Sequence, residues 1–348
     1  MHGKMGISIF FFHLSRKTGK QIYEDYAGEL IDEIYDDINT STPVDFENGL
    51  AGIGWGIEYL VQNGFIDADT NEVLEEFDNK IFDWFIHHTP SDIGLLNGLC
   101  GIGFYFLKRI QNTQSSDEKL QTLINKQGLI QLVDVLESWL TYEVIEELLD
   151  WVSNSSKNSN KSIEGQENCQ LQIGGFDITS DYSVLLWLLT ELQEKDIFNS
   201  KVERLITDLL KPLSIKKVVT MVEANKLLLL LGLTKLKSTN VQCTKKVEFE
   251  SVYTYLINGI NYDSLEEEFV NLPLKVKNGL AGVYSLCKQL CEMTNEDVFN
   301  RILCLLSSFI DQEARIEQLL CQDESSILAK EEYVFGLLEG FAGIYILT

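Results

Sequence analysis

The chain has 348 residues, of which 45% are hydrophobic, and its 53 acidic against 28 basic residues give a formal net charge of −25. This excess of acid repels phosphate backbones and anionic lipid, so it argues against nucleic acids and membrane surfaces as partners. The apolar fraction excludes a disordered acidic chain and allows a sizeable core. No apolar run approaches the roughly 18 residues of a membrane span, and no signal-peptide cleavage site follows residues 7–14, which predicts a cytoplasmic protein.

One motif recurs along the chain, a turn residue followed by Gly-x-x-Gly and an apolar helix. The copies read HGKMGISIFF, ENGLAGIGWG, LNGLCGIGFY, KNGLAGVYSL and LEGFAGIYIL, with lead residues His2, Asn48, Asn97, Asn278 and Glu339. The long interval between Asn97 and Asn278 leaves room for two copies without the glycines, which we place at 181–187 and 225–231. About seven repeats result, and a motif at His2 leaves room for a helix upstream of the given start.

Each repeat predicts a buried inner helix and an amphipathic outer helix. The inner helices follow the glycines and carry few charges, which is typical of burial on all sides. Outer helices, in which apolar residues recur at helical spacing between acids, are predicted at 22–38, 73–86, 202–213 and 298–310. The buried face of the first is predicted to consist of Ile22, Tyr26, Leu30, Ile34 and Ile38.

Helical hairpins of this length bury their faces by stacking on neighbours, in an open solenoid or in a closed ring. Motif copies lie near both ends of the sequence, where an open solenoid would need polar capping repeats. The sequence therefore predicts an all-α fold, an α/α toroid of about seven inner and outer hairpins in one domain over residues 1–348. The polar run SNSSKNSNKS predicts a flexible loop at about 153–170.

The residues around each motif suggest two kinds of site. Asn is a favoured N-cap, and if the N-termini of the inner helices converge, their dipoles would favour a polar or anionic ligand. The alternative is that Asn and Gly only allow the inner helices to pack closely. Paired carboxylates could hydrolyse a glycosidic bond, unless they only complement the helix dipoles. The candidate carboxylates are Asp45, Glu47, Asp177 and Glu339, and the aromatic residues suited to sugar stacking are Trp55, Tyr105 and Tyr284.

Metal ligands are scarce, and no metal or other cofactor is expected. The chain has four His, and adjacent His87 and His88 would point about 100° apart on a helix. Cys287 and Cys291 share a helix face, but the leucines beside them indicate a core stripe. The seven cysteines are irregularly spaced and are predicted to be reduced thiols.

The repeats resemble the lanthionine synthetase C-like (LanC-like) family over essentially the whole chain. The resemblance rests on the repeated Asn/His-Gly-Leu-Ala-Gly-Ile, on the alternation of inner and outer helices, and on the terminal GLLEGFAGIYIL. It implies an α/α toroid. In catalytic members it also implies a central zinc that activates a peptide cysteine, which adds to a dehydrated Ser or Thr to form a thioether ring.

The sequence departs from this family at the zinc site. The family's Cys-His-Gly ligand signature corresponds to Lys277-Asn278-Gly279, no Trp-Cys-Tyr-Gly-like segment is present, and the central His-Gly is replaced by residues 174–177. The resemblance therefore predicts the fold without the zinc ligands. The candidate binding residues are then Asn48, Asn97, Lys277, Asn278, Trp55 and Tyr284, at the mouth of the ring.

Three functions remain open. The first is a LanC-like protein that binds a peptide or assists its modification without zinc. The second is a toroid enzyme acting on sugars, which would place two carboxylates about 5–10 Å apart. The third is a structural protein that binds a partner through a large exposed apolar patch.

Overall fold

The structure, a computed structural model, describes residues 3–88, 92–111, 120–154, 181–239, 241, 247–272, 278–294 and 296–313. In these residues there are sixteen helices and no strand. The helices are α1 (Lys4–Thr18), α2 (Gln21–Asp37), α3 (Leu50–Gln62), α4 (Thr70–Val73), α5 (Glu75–His87), α6 (Leu99–Gln111), α7 (Leu120–Trp139), α8 (Tyr142–Asn154), α9 (Asp181–Glu194), α10 (Asn199–Leu210), α11 (Ile215–Val219), α12 (Glu223–Ser238), α13 (Val247–Asn258), α14 (Tyr262–Asn271), α15 (Leu280–Thr294) and α16 (Asp297–Glu313). None of them is long and apolar enough to cross a membrane.

The predicted helices that fall within the described residues are present, with small changes at their ends, and the inner helix predicted after Glu339 lies outside those residues. The outer helices predicted to begin at 22, 202 and 298 correspond to α2, α10 and α16. The two motif copies without glycines, at 181–187 and 225–231, lie at the start of α9 and within α12. The helix predicted at 73–86 is instead divided at Leu74 into α4 and α5. The predicted flexible loop at about 153–170 begins inside α8, and its remainder lies outside the described residues.

The buried face of α2 differs from the prediction. Ile22 and Tyr26 are 69% and 45% exposed, and the buried residues of this helix are Ala27, Leu30 and Ile34. A step of four residues advances about 400° around a helix, so residues at this strict spacing drift by about 40° per step and leave a fixed face. Alternating steps of three and four, as from Ala27 to Leu30 to Ile34, keep to it.

The described chain divides into two compact units, and the prediction of one domain over residues 1–348 stays a prediction. Unit 1 contains the described residues up to Thr141 together with Trp187–Leu205. Unit 2 contains those of Tyr142–Leu186 and those from Ile206 onward.

In unit 1 the motif glycines allow close helix packing. A Cβ atom on Gly54 would lie 2.5 Å from the Tyr105 ring, and one on Gly56 would lie 2.5 Å from the Met5 side chain. Both distances are too short for any larger residue, so α3 approaches α6 and α1 only because glycine occupies these positions.

A buried ion cluster links α3, α5 and α6 in the same unit. The Arg109 guanidinium donates to the carboxylates of Asp78, at 2.6 Å from Nη2, and of Glu58, and it also donates to the Thr70 hydroxyl at 3.2 Å. The Tyr105 hydroxyl donates to Asp78 at 2.5 Å. Glu58 and Asp78 are 0% exposed, so these charges depend on one another for compensation.

The core of unit 2 surrounds α12. This helix contacts α13, α14 and α15, and thirteen of its sixteen residues are buried. The buried residues include the whole leucine run at 227–231. A helix that is apolar all round is expected to lie inside a protein, and α12 confirms the prediction of an inner helix at this point.

Candidate functional site

The loops before α3 and α6 share a pattern of backbone hydrogen bonds. The N–H groups of Leu50, Ala51 and Gly52 each donate to the carbonyl oxygen seven residues earlier, at 2.9, 3.3 and 3.4 Å. Leu99 and Cys100 repeat the pattern before α6, both at 3.0 Å. Each loop therefore folds back on the helix that it precedes and takes up N–H groups that a helix start leaves without partners.

The prediction that Asn48 caps α3 is wrong. The N-cap is Gly49, and no side chain caps the helix. Asn48 is exposed, and its N–H donates to the Asp45 carboxylate at 2.7 Å. The loop carbonyls already occupy the first N–H groups of α3, so these donors are not open to an anionic ligand. A Cβ on Gly49 would lie 2.4 Å from the Pro43 oxygen, so the turn requires glycine.

Two predicted site residues, Glu47 and Asn48, line a cavity of about 370 Å³ in unit 1. Lys4 and Asp37 lie in the wall of the same cavity, and their side chains pair at 2.7 Å. Asp45 is half-buried in the same loop, beside Asn48. The structure therefore brings these three predicted residues together at the start of α3.

The other predicted residues are placed separately. Asn97 is exposed in the loop before α6. In unit 2, Asn278 precedes α15 with a positive φ of 54°, and Tyr284 is half-buried in that helix. Tyr105 is 0% exposed within the ion cluster and is unavailable for sugar stacking. Asp177, Lys277 and Glu339 lie outside the described residues, so the sugar-enzyme hypothesis stays a prediction.

Trp55, also predicted to bind, belongs to a group of half-buried side chains on the inner helices of unit 1. Its ring stacks on Tyr59 with centroids 5.5 Å apart, and the Phe104 and Trp187 rings meet edge to face at 5.4 Å. Lys108 lies with its Nζ 5.7 Å from the Trp55 ring centroid and 5.8 Å from that of Tyr59. We call these five side chains the aromatic strip.

The polar atoms of the aromatic strip are partly withdrawn from water. Burial lowers the pKa of Lys108, although the charge of Glu58 opposes that shift. The Tyr59 hydroxyl lies 2.8 Å from a ring nitrogen of His13, and burial, with the nearby Arg16 charge, lowers the pKa of this histidine. An imidazole, an ammonium and aromatic ring faces therefore lie close together around Tyr59.

The sequence contains a signal for the aromatic strip besides the glycine motif. Phe104 and Lys108 stand 49 residues after Trp55 and Tyr59, at the spacing that separates Asn48 from Asn97. Two consecutive repeats thus place a ring or a long side chain at the same positions of their inner helices. Trp187, on α9, follows no surviving glycine motif and was detectable only as an aromatic residue in an apolar run.

Comparison with known proteins agrees with this architecture. The lanthionine synthetase C-like protein family model matches residues 1–134. The expected resemblance to this family is confirmed. Among solved structures, nisin cyclase is similar with a TM-score of 0.61 and 14% sequence identity, over 99% of this chain and 86% of that chain. At this identity the likeness shows the fold, and it confirms the expected class, an α/α toroid. A comparison with curated protein sequences gives no match.

The LanC-like match contains most of the aromatic strip. Trp55, Tyr59, Phe104 and Lys108 all lie within the matched residues, whereas Trp187 and the late repeat at 277–279 lie beyond them. The LanC-like part of the sequence therefore includes α3 and α6, the two inner helices that supply four of the five side chains of the strip.

The zinc that the LanC-like resemblance implies does not fit the residues that the structure describes. Asn278 stands where the family has a histidine ligand, and an amide is a poor substitute for an imidazole. Cys287 is buried in α15, and burial raises the pKa of its thiol. Within the described ranges, no group of three or more His, Cys, Asp or Glu side chains is arranged to hold a metal ion.

Proposed function

We propose that this chain is a relative of the lanthipeptide cyclases that binds a peptide at the aromatic strip without zinc. The observation that carries the proposal is the strip itself, which places four half-buried rings and a lysine on inner helices that are otherwise largely buried. The chain is similar in fold to nisin cyclase, and the name of that protein gives a peptide as its substrate. This similarity supports a peptide as the ligand.

The chemistry of the aromatic strip suits a peptide chain. Flat ring faces cover apolar side chains at a low cost in conformational entropy, and aromatic residues are enriched where proteins bind other chains. The Lys108 ammonium can donate to backbone carbonyl oxygens of the same ligand. The net charge of −25 attracts basic peptides over longer distances, so we expect the ligand to carry positive charge outside the strip.

The proposed role is binding, with no thiol activation by this chain. Thioether formation needs a thiolate, and a zinc-bound thiol is deprotonated outright. The donors that would hold such a zinc are replaced or buried, as described for Asn278 and Cys287. The chain would then present a peptide to another catalyst or hold it after modification.

The test uses a fluorescein-labelled twelve-residue peptide of Leu, Ser, Cys and Lys, titrated with the full chain and followed by fluorescence anisotropy. Trp55→Ala removes the centre of the strip and is expected to weaken binding about tenfold, as loss of an aromatic anchor does. Trp84→Ala is the matched control, because Trp84 is half-buried on the outer helix α5, where it stacks on His88. Equal affinity of the Trp55→Ala variant and the parent chain would contradict the proposal.

Zinc independence is tested separately by metal analysis of the chain after equilibration with zinc chloride and gel filtration. We expect much less than one zinc per chain, and peptide binding that is unchanged by a chelator. One tightly held zinc per chain would overturn the argument from the donor set.

A further inference from the structure

Unit 2 contains a cavity of about 430 Å³ that none of the predicted site residues enters. It lies between the segment that leads into α12, the end of α13 and the start of α14. Its volume is within the range of small-molecule sites. Its polar side chains include Glu223, Lys226, Tyr255, Asn261, Ser264 and Glu268.

The two carboxylates of this cavity are already hydrogen-bonded to the protein. Glu268 accepts the backbone N–H groups of Glu223 and Ala224 at 2.8 and 3.1 Å, and so caps α12 from another helix. Glu223 accepts the Lys226 ammonium at 2.5 Å and the Asn261 N–H at 3.3 Å. All four carboxylate oxygens therefore face protein donors.

Lys226, in contrast, has more hydrogen-bond donors than protein acceptors. The residue is only 6% exposed, and its ammonium has three N–H donors. Among the residues that the structure describes, the Glu223 carboxylate is its single acceptor. Buried donors are costly without partners, so two strong donors at the wall of a cavity are a binding feature.

Two hydroxyl groups add to this excess of donors. Tyr255 and Ser264 are half-buried in the cavity wall, and neither hydroxyl donates to another group in the described part of the chain. The cavity therefore offers N–H and O–H donors from α12, α13 and α14, while each of its carboxylate oxygens already accepts a hydrogen bond from the protein. A ligand that brings oxygen acceptors completes the arrangement.

The charges of the cavity select among such ligands. One ammonium lies with two carboxylates, so a further anion would be repelled by Glu223 and Glu268. The two carboxylates would attract a cation, but a cationic group has no acceptor for the spare N–H donors of Lys226 and is repelled by that ammonium. We infer that this cavity is a binding site for an uncharged ligand held through an amide carbonyl oxygen, with Lys226 as the principal donor.

The experiment compares three probes with nearly the same skeleton, titrated into the full chain and followed by ligand-observed NMR. N-acetylglycinamide is uncharged, N-acetylglycine is an anion at neutral pH, and glycinamide is largely a cation. We expect the uncharged amide to bind at least threefold more tightly than either of the others. Tighter binding of N-acetylglycine or glycinamide would overturn the inference.

Variants assign the binding to this cavity. Lys226→Met is expected to weaken binding of N-acetylglycinamide at least tenfold, whereas Lys237→Met, in the exposed last turn of α12, leaves it unchanged. Ser264→Ala and Tyr255→Phe each remove one hydroxyl and keep the ion pair, so they remain informative if the lysine variant does not fold. We expect each to weaken binding two- to tenfold, the range of a single hydrogen bond. Unchanged binding in both hydroxyl variants would overturn the inference, whatever the outcome of the peptide test on the aromatic strip.

Discussion

The Arg109 cluster of unit 1 and the Lys226 cluster of unit 2 both combine a basic side chain with two carboxylates, and they differ in how many donors are satisfied. Each has one basic residue, Arg109 or Lys226, close to two carboxylates. All three guanidinium nitrogens of Arg109 donate to buried acceptors, so its cluster is closed. Lys226 donates to one acceptor in the described residues and lines a cavity. A closed cluster holds helices together, and an open one beside a cavity can also bind a ligand.

The difference follows from the two cations. A guanidinium has five donors in a rigid plane and can bridge Glu58, Asp78 and Thr70 at once. An ammonium is a compact charge that depends on its surroundings to supply acceptors. The number of satisfied donors, rather than burial or charge alone, therefore separates the two clusters.

The largest expected effect is that of Arg109→Met. The change leaves Glu58 and Asp78 buried without a counter-charge, which costs about 3–5 kcal/mol of unfolding free energy. Urea unfolding followed by circular dichroism measures this loss. Arg204→Met is the control, because Arg204 is 55% exposed in its pair with Glu137 and is expected to lose about 0–1 kcal/mol. Similar losses in both variants would show that the unit 1 cluster is not closed.

Tyr105→Phe tests one bond of the closed cluster. Its hydroxyl donates to a buried carboxylate, and a hydrogen bond to a charged group contributes about 1.5–3 kcal/mol. Tyr182→Phe removes an equally buried hydroxyl that donates to the neutral carbonyl of Leu209, for which we expect about 1 kcal/mol. The same unfolding assay compares the two, and a larger loss for Tyr182→Phe would contradict this account.

Lys226→Met is expected to lose less stability than Arg109→Met, about 1–2 kcal/mol. The remaining Glu223 keeps the Asn261 N–H and lies at the positive end of the α12 dipole, beside a cavity. Lys237→Met, in an exposed pair with Glu250, is the control for the substitution itself. A loss as large as that of Arg109→Met would mean that the two clusters do not differ as described.

The smallest expected effect is a dependence on pH. Burial raises the pKa of Glu268 above its ordinary value of 4.5, although two backbone N–H groups oppose the shift. The folded state therefore binds this proton more tightly than the unfolded chain, so the contribution to stability is present below pH 4.5 and is lost as pH rises through the raised pKa.

Glu268→Gln imitates the protonated form and removes this dependence. Relative to the variant, the parent chain is expected to lose unfolding free energy as pH rises from 4.5 toward neutrality. Urea unfolding at a series of pH values gives the two slopes. If the unfolding free energy of the parent chain instead rose relative to that of the variant in this pH interval, the expected direction would be wrong.

Much of the fold was predictable because helix periodicity and glycine placement are local signals. The positions of α2, α10 and α16 follow from apolar spacing, and the inner helices follow from charge-poor runs after the glycines. The buried face of α2 was predicted wrongly, because a strict four-residue spacing drifts away from a fixed helix face, whereas the spacing of Ala27, Leu30 and Ile34 keeps to it. The division at Leu74 also depends on packing, since Leu74 is completely buried at the break.

Less of the candidate site could be predicted. Trp55, Glu47 and Asn48 were found because they lie next to a motif. Lys226 was not singled out, because its burial and its shortage of acceptors depend on contacts with α13 and α14, later in the chain. Glu58 and Arg109 carried a detectable signal, since each is a charge within an apolar inner helix, but the sequence does not show that they meet Asp78.

The two folded-back loops before α3 and α6 have a consequence for engineering. The segments at 43–49 and 92–98 have equal length, and each holds its helix start through backbone groups alone at corresponding positions. The exposed side chains of these loops, such as Asn48 and Asn97, can therefore be exchanged while the helix start is kept. Val44, Phe46 and Ile93 are buried and belong to the core, and the final glycine of each loop has no room for a side chain. The two loops thus offer exposed positions at which new side chains can be placed without altering the helix starts.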